Sequence, residues 1–120
     1  MPTVMIVDDD PRLRAALQFK LEQAGYRICV AGNGRDCLDQ IVQQRPDLIL
    51  LDLMMPDISG LEVLEWLRSD PSLSSIPVLV VTAWGHTEMR SKCLSLGAAG
   101  FIAKPFSLRD LARKVDEQLS

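Results

Sequence analysis

The chain has 120 residues, 13 Lys+Arg against 16 Asp+Glu, a formal net charge of −3 and 48% apolar residues. That length suits one core, so a single domain over residues 1–120 is expected, and the composition excludes a disordered chain. The acidic balance argues against direct nucleic-acid binding, which needs a basic face, and no apolar run approaches the roughly 18 residues of a membrane span.

Short apolar runs alternate with helical patterns along the chain. Val4-Met5-Ile6-Val7 is a strand that ends in three aspartates. Asp10 before Pro11 reads as the N-cap and first residue of a helix carrying Leu13, Ala16, Leu17, Leu21 and Ala24, with Gly25 as its stop. Tyr26 to Val30 alternates like an edge strand. Asn33-Gly34 turns the chain, and Cys37, Leu38, Ile41 and Val42 form the stripe of a second helix ending near Pro46. Leu48 to Leu51 is a strand buried on both faces. Ser59 and Glu62 make a capping box for a helix with Leu61, Val63, Leu64 and Leu67, and Asp70-Pro71-Ser72 turns. Ile76 to Val81 is the fourth strand, with Pro77 at its start and Thr82 at its end. Met89, Cys93, Leu94 and Leu96 mark a helix closed by Gly97. Phe101-Ile102-Ala103 is the last strand, and Ser107 starts a final helix with Leu108, Leu111, Ala112, Val115 and Leu119.

Five strands alternating with five helices predict an α/β fold: a doubly wound, five-stranded parallel sheet, order 2-1-3-4-5, flavodoxin-like. Ligands of such sheets bind at the carboxyl ends of the strands, where strand order reverses. Those ends carry Asp8-Asp9, Asp52, Thr82 and Lys104. Three converging carboxylates repel, and Lys104 alone does not balance them. A hard divalent cation completes the set, and Mg²⁺ suits oxygen ligands shared with a phosphoryl group. Neither Cys nor His falls at these ends, which disfavours softer metals. A carboxylate can attack phosphorus, with Lys104 and the Thr82 hydroxyl binding the remaining oxygens. Asp52 stands alone on the central strand and is the expected nucleophile, with Asp8 and Asp9 as metal ligands. No Gly-rich nucleotide motif follows the first strand.

These residues resemble a response-regulator receiver domain, the phosphoacceptor half of two-component signalling. The matching pieces are Ile6-Val7-Asp8-Asp9, Leu50-Leu51-Asp52-Leu53-Met54-Met55-Pro56 with Gly60, Val80-Val81-Thr82-Ala83, and Phe101-Ile102-Ala103-Lys104-Pro105-Phe106. The likeness covers essentially the whole chain. It implies that Asp52 accepts phosphate from a histidine kinase or phosphotransfer protein. It implies Mg²⁺ on Asp8, Asp9, Asp52 and the main-chain carbonyl of Met54, with Lys104 on the phosphoryl group. Thr82 and Phe101 are then a switch pair, the ring turning inward behind the hydroxyl, and Lys104–Pro105 a cis peptide. The fourth helix, fifth strand and fifth helix become the output face. Kinase contact is expected around Leu13 to Leu17 and the loop after the fifth strand. The output is a downstream protein partner or a fused effector, from a monomer or a phosphorylation-dependent dimer; Arg109, Asp110, Arg113, Lys114, Asp116 and Glu117 offer exposed charge pairs. The chain is expected to be no enzyme beyond assisting its own phosphorylation and dephosphorylation. Met54 and Trp84, near the phosphoryl group by the same likeness, lack a group to orient water and imply slow self-dephosphorylation.

The plainer readings stand beside these. Asp10 is a helix cap, Met54 and Met55 are loop packing, and His86 is a loop residue. Cys29, Cys37 and Cys93 are reduced core residues of a cytoplasmic protein, since none forms a Cys-x-x-Cys pair and no signal-peptide pattern opens the chain. Three other functions compete: a non-phosphorylated interaction module, against which the intact acid set speaks; a flavin domain, whose cofactor phosphate the aspartates would repel; and a phosphatase-like hydrolase, which needs a cap insertion.

Overall fold

The uninterrupted apolar runs become strands that are buried on both faces. A computed structural model describes residues 1–83 and 87–120 of the chain, so the readings of Trp84 and His86 lie outside the described residues. In chain order the elements are β1 (Thr3–Val7), α1 (Pro11–Gln23), β2 (Arg27–Ala31), α2 (Gly34–Gln43), β3 (Leu48–Leu51), α3 (Gly60–Ser69), β4 (Val78–Thr82), α4 (Thr87–Ser95), β5 (Gly100–Ala103) and α5 (Leu108–Leu119). All strand pairs are parallel, in the order β2-β1-β3-β4-β5. That is the doubly wound α/β architecture the alternation predicts.

Side-chain alternation sorts the core onto two faces. Met5, Val7, Ile49, Leu51, Val78 and Val80 face α2, α3 and α4, where they meet Cys37, Ile41, Val63, Leu64, Leu67 and Cys93. Val4, Ile6, Leu48, Leu50, Leu79 and Val81 face α1 and α5, where they meet Leu17, Leu21, Leu111 and Val115. Each fully buried side chain of this kind contributes about 1.5–3 kcal/mol relative to exposure. Among the described residues, no helix is long and apolar enough to cross a membrane.

The helix ends follow the chemistry of their caps. The Asp10 carboxylate accepts from the N–H groups of Arg12 and Leu13, and Pro11 opens α1. Ser59 caps α3 through the Glu62 N–H at 3.2 Å, and Ser107 caps α5 through Asp110. Gly25 and Gly97, at φ of 97° and 87°, take the left-handed conformation that closes α1 and α4. Some readings differ in detail. Asn33-Gly34 begins α2 instead of turning the chain, because the Asn33 side chain accepts from the Asp36 N–H. Ala24 is the exposed C-cap of α1. Val42 and Leu94 sit at helical spacing yet face solvent, since only a narrow stripe of each helix meets the sheet. The three cysteines are free, two of them buried.

Candidate functional site

The sheet register builds the site. Val7 pairs with Leu51, so Asp8 and Asp52 leave adjacent strands side by side at the point where strand order reverses. The Asp52 N–H donates to Val7 O at 3.0 Å and continues the ladder one step beyond the sheet. Thr82 pairs with Ala103, and the Lys104 N–H donates to Thr82 O at 2.9 Å, which carries Lys104 to the same edge. The Lys104–Pro105 peptide is cis, as the resemblance implied.

Lys104 joins the two buried acids. Its ammonium lies 2.8 Å from Asp8 Oδ2 and 3.1 Å from Asp52 Oδ2. Burial alone would lower the Lys104 pKa, but the hydrogen bonds it donates to Asp8 and Asp52 and the charges of those carboxylates outweigh it, so the pKa sits above its ordinary 10.5. Asp52 Oδ1 accepts from the Met54 N–H at 3.1 Å, which holds the residue 54 backbone beside the acid. Asp8 Oδ1 accepts from the Asp10 N–H at 2.9 Å. Asp9 is the solvent-facing member of the set.

Asp8, Asp9 and Asp52 each bring one carboxylate oxygen within 4.8 Å of the others. Three hard oxygen donors and no nitrogen or sulfur fit Mg²⁺. Two of the acids are buried and one is open, so an ion would enter from the Asp9 side. Thr82 is fully buried at the end of β4. Phe101 on β5 is 7% exposed, with the Arg90 guanidinium over its ring at 5.9 Å from the centroid. The resemblance implied a ring that turns inward; here it already lies inside, packed into the α2–α3–α4 face of the core. Met55 packs against that core, whereas Met54 is 54% exposed and does not pack as loop filling.

Some partners of the site carry no signal in the sequence. The Arg14 guanidinium donates to Asp8 O at 2.7 Å from one turn inside α1. Arg90 reaches Phe101 from α4. A motif search sees neither, because each depends on where one helix sits over its strand.

Comparisons with known proteins give the family and the fold. The family described as response regulator receiver domain matches residues 4–116. The regulator RpaA of Synechocystis, called a DNA-binding dual master transcriptional regulator, is 37% identical over 96% of this chain and 48% of its own length. The phosphate regulon transcriptional regulatory protein PhoB of Pseudomonas aeruginosa is 39% identical over 94% of this chain and 49% of its own. The chain thus spans about half the length of these curated relatives. Among solved structures, the signal receiver domain of a signal transduction histidine kinase from Syntrophus aciditrophicus superposes with a TM-score of 0.91 at 34% identity, covering 99% of this chain and 90% of that one. The chemotaxis protein CheY4 of Vibrio cholerae superposes with a TM-score of 0.91 at 29% identity over 98% of both chains.

Proposed function

The chain belongs to the response regulator receiver domain family, and on that premise we propose that it is a phosphorylation-controlled switch whose acceptor is Asp52. The observation that carries this is the Lys104 bridge between Asp8 and Asp52, with Asp9 alongside. A histidine kinase or phosphotransfer protein presents a phosphohistidine. An Asp52 oxygen attacks its phosphorus, a P–O bond forms as the P–N bond breaks, and imidazole leaves with the electron pair. Lys104 binds a phosphoryl oxygen, and the Thr82 hydroxyl binds another. Asp8, Asp9, Asp52 and the Met54 main-chain carbonyl would hold Mg²⁺, which would supply neutralisation of charge on the transferring group. Apart from this help with its own phosphorylation and dephosphorylation, the chain catalyses nothing.

The downstream effect is a population shift at the face of α4, β5 and α5, with Thr82 and Phe101 as the switch pair. The phosphodonor rests on an apolar groove of about 420 Å³ beside the site, lined by Leu13, Ala16, Lys104, Pro105, Phe106 and Leu108. The partner that reads the switch is a separate protein or a fused effector, in the cytoplasm. The two ion pairs of Arg113, to Asp110 and Glu117, both lie within α5. They are spent inside the helix and do not argue for a dimer.

Incubation with acetyl phosphate and Mg²⁺, followed by intact-mass analysis, tests the reading. One phosphoryl adduct is expected on the wild type, absent from Asp52→Ala and absent without Mg²⁺. A folded wild type that neither gains the adduct nor binds Mg²⁺ would return the chain to a plain interaction module.

A further inference from the structure

All four polar groups of Asp8 are engaged within the protein. Its N–H donates to Ala31 O at 3.1 Å, Oδ1 accepts from the Asp10 N–H at 2.9 Å, and Oδ2 accepts from Lys104 at 2.8 Å. Its carbonyl oxygen accepts from Arg14 Nη1 at 2.7 Å. Sheet register, the turn into α1 and the site itself account for the first three. The fourth has no such origin. Arg14 lies one turn inside α1, where an arginine ordinarily extends into water; here it reaches back to the strand end. Space for it comes from Gly32, just after β2, where a Cβ would stand 3.2 Å from Arg14 Nη1. The Gly32 backbone is outside the left-handed region, so what glycine provides there is room for the guanidinium.

We infer that Arg14 is a positioning residue of the site: it fixes the Asp8 peptide so that Asp8 and Asp9 face a divalent cation together, and it adds a second positive charge behind the acids. This rests on the reading of the site as a Mg²⁺-dependent phosphoacceptor. Charge balance supports it. Asp8, Asp9 and a phosphorylated Asp52 carry about four negative charges. Lys104 and a divalent ion return three, and the phosphorylated, metal-loaded site becomes neutral only with Arg14 counted. A charge-assisted hydrogen bond to the peptide between two ligands also holds them in place when the metal leaves.

Calorimetric Mg²⁺ titration and the rate of phosphorylation by acetyl phosphate at saturating Mg²⁺ read this out. Arg14→Ala is expected to raise the Mg²⁺ Kd about tenfold, as loss of a residue orienting metal ligands typically does. Arg14→Lys, which keeps the charge and a donor, restores most of the loss. Gly32→Ala crowds the guanidinium, so it weakens Mg²⁺ binding in the wild type and changes nothing further in Arg14→Ala. Should Arg14→Ala fail to fold, Arg14→Lys and Gly32→Ala carry the same comparison. A Kd within about twofold of a Mg²⁺-binding wild type, or equal losses from Gly32→Ala in both backgrounds, overturns the role of Arg14 alone. A wild type that binds no Mg²⁺ overturns both this role and the reading beneath it.

Discussion

A Cβ on Gly60 would stand 2.0 Å from the carbonyl oxygen of Asp52. The first residue of α3 is thus pressed against the peptide of Asp52, the proposed phosphoacceptor, and its N–H donates to Leu53 O at 3.1 Å. Gly60→Ala must move either α3 or Asp52. Overpacking of this kind costs about 1–3 kcal/mol. Chemical denaturation should show that loss, and intact mass should show slower phosphorylation, since Asp52 leaves its register with Lys104. A variant as stable and as readily phosphorylated as the wild type would mean that this loop yields freely.

Mg²⁺ should stabilise the folded chain, because the unfolded chain does not assemble Asp8, Asp9 and Asp52. At a hundredfold excess over Kd the gain is about 2.7 kcal/mol, on the order of 10 °C in Tm for a domain this size. Asp9 is exposed, so Asp9→Ala costs the fold little while removing a proposed ligand. Thermal melting of Asp9→Ala with and without Mg²⁺ should show no shift. A full shift would place the ion elsewhere.

Lys104 competes with any cation for Asp8 and Asp52. Lys104→Met should therefore bind Mg²⁺ more tightly, roughly fivefold or about 1 kcal/mol, while its metal-free form loses stability because two buried carboxylates lose the ammonium that bridges them. Phosphorylation should slow in the same variant, so binding and reactivity part company. The pH dependence has a definite sign. A raised lysine pKa contributes stability that is complete below the ordinary 10.5 and is lost as pH climbs through the folded value. Metal-free wild type should thus weaken at that alkaline edge in a step that Lys104→Met lacks.

Strand ends were the most legible part of the chain. Apolar runs stop abruptly at Asp8, Asp52 and Thr82, and a parallel sheet brings such ends to one edge whatever the side-chain detail. The caps at Asp10, Ser59 and Ser107 were legible for the same local reason. Contacts between elements were not. Arg14 over Gly32 and Tyr26 against α5 depend on helix placement over the sheet, which no short pattern encodes. Val42 illustrates the limit from the other side: its spacing fits an apolar stripe, yet at 77% exposed it lies outside the arc of α2 that meets the strands.

Tyr26, the sole tyrosine, donates its hydroxyl to the Asp116 carboxylate on α5. Burial first, and then this carboxylate, push its pKa up to about 12. The neutral phenol is therefore favoured by folding, and its contribution is complete below the ordinary 10.0 and disappears as pH rises toward 12. Tyrosinate absorbance during an alkaline titration should show one late transition. Asp116→Asn should bring it earlier without abolishing the shift, because burial remains. An unchanged midpoint would assign the whole shift to burial.

If Asp52 is the acceptor, as proposed, the side chain at position 54 should set how long its phosphoryl group lasts. Its N–H holds Asp52 Oδ1, while its exposed side chain lines, with Asp9, Leu53, Met55 and Pro56, an open and mainly apolar depression of about 520 Å³. What residue 54 offers to water there is a thioether, which orients no nucleophile. Hydrolysis of an acyl phosphate needs water held in line with the bond that breaks, and orientation of that kind carries much of a reaction's acceleration. Met54→Asn puts an amide donor and acceptor where the thioether was, and should speed decay of the phosphoryl adduct about tenfold. Time-resolved intact mass after removal of acetyl phosphate measures it. Because residue 54 binds Asp52 through its backbone, the substitution leaves the acceptor's own hydrogen bond in place, and an unchanged lifetime would free side chain 54 from any part in the clock.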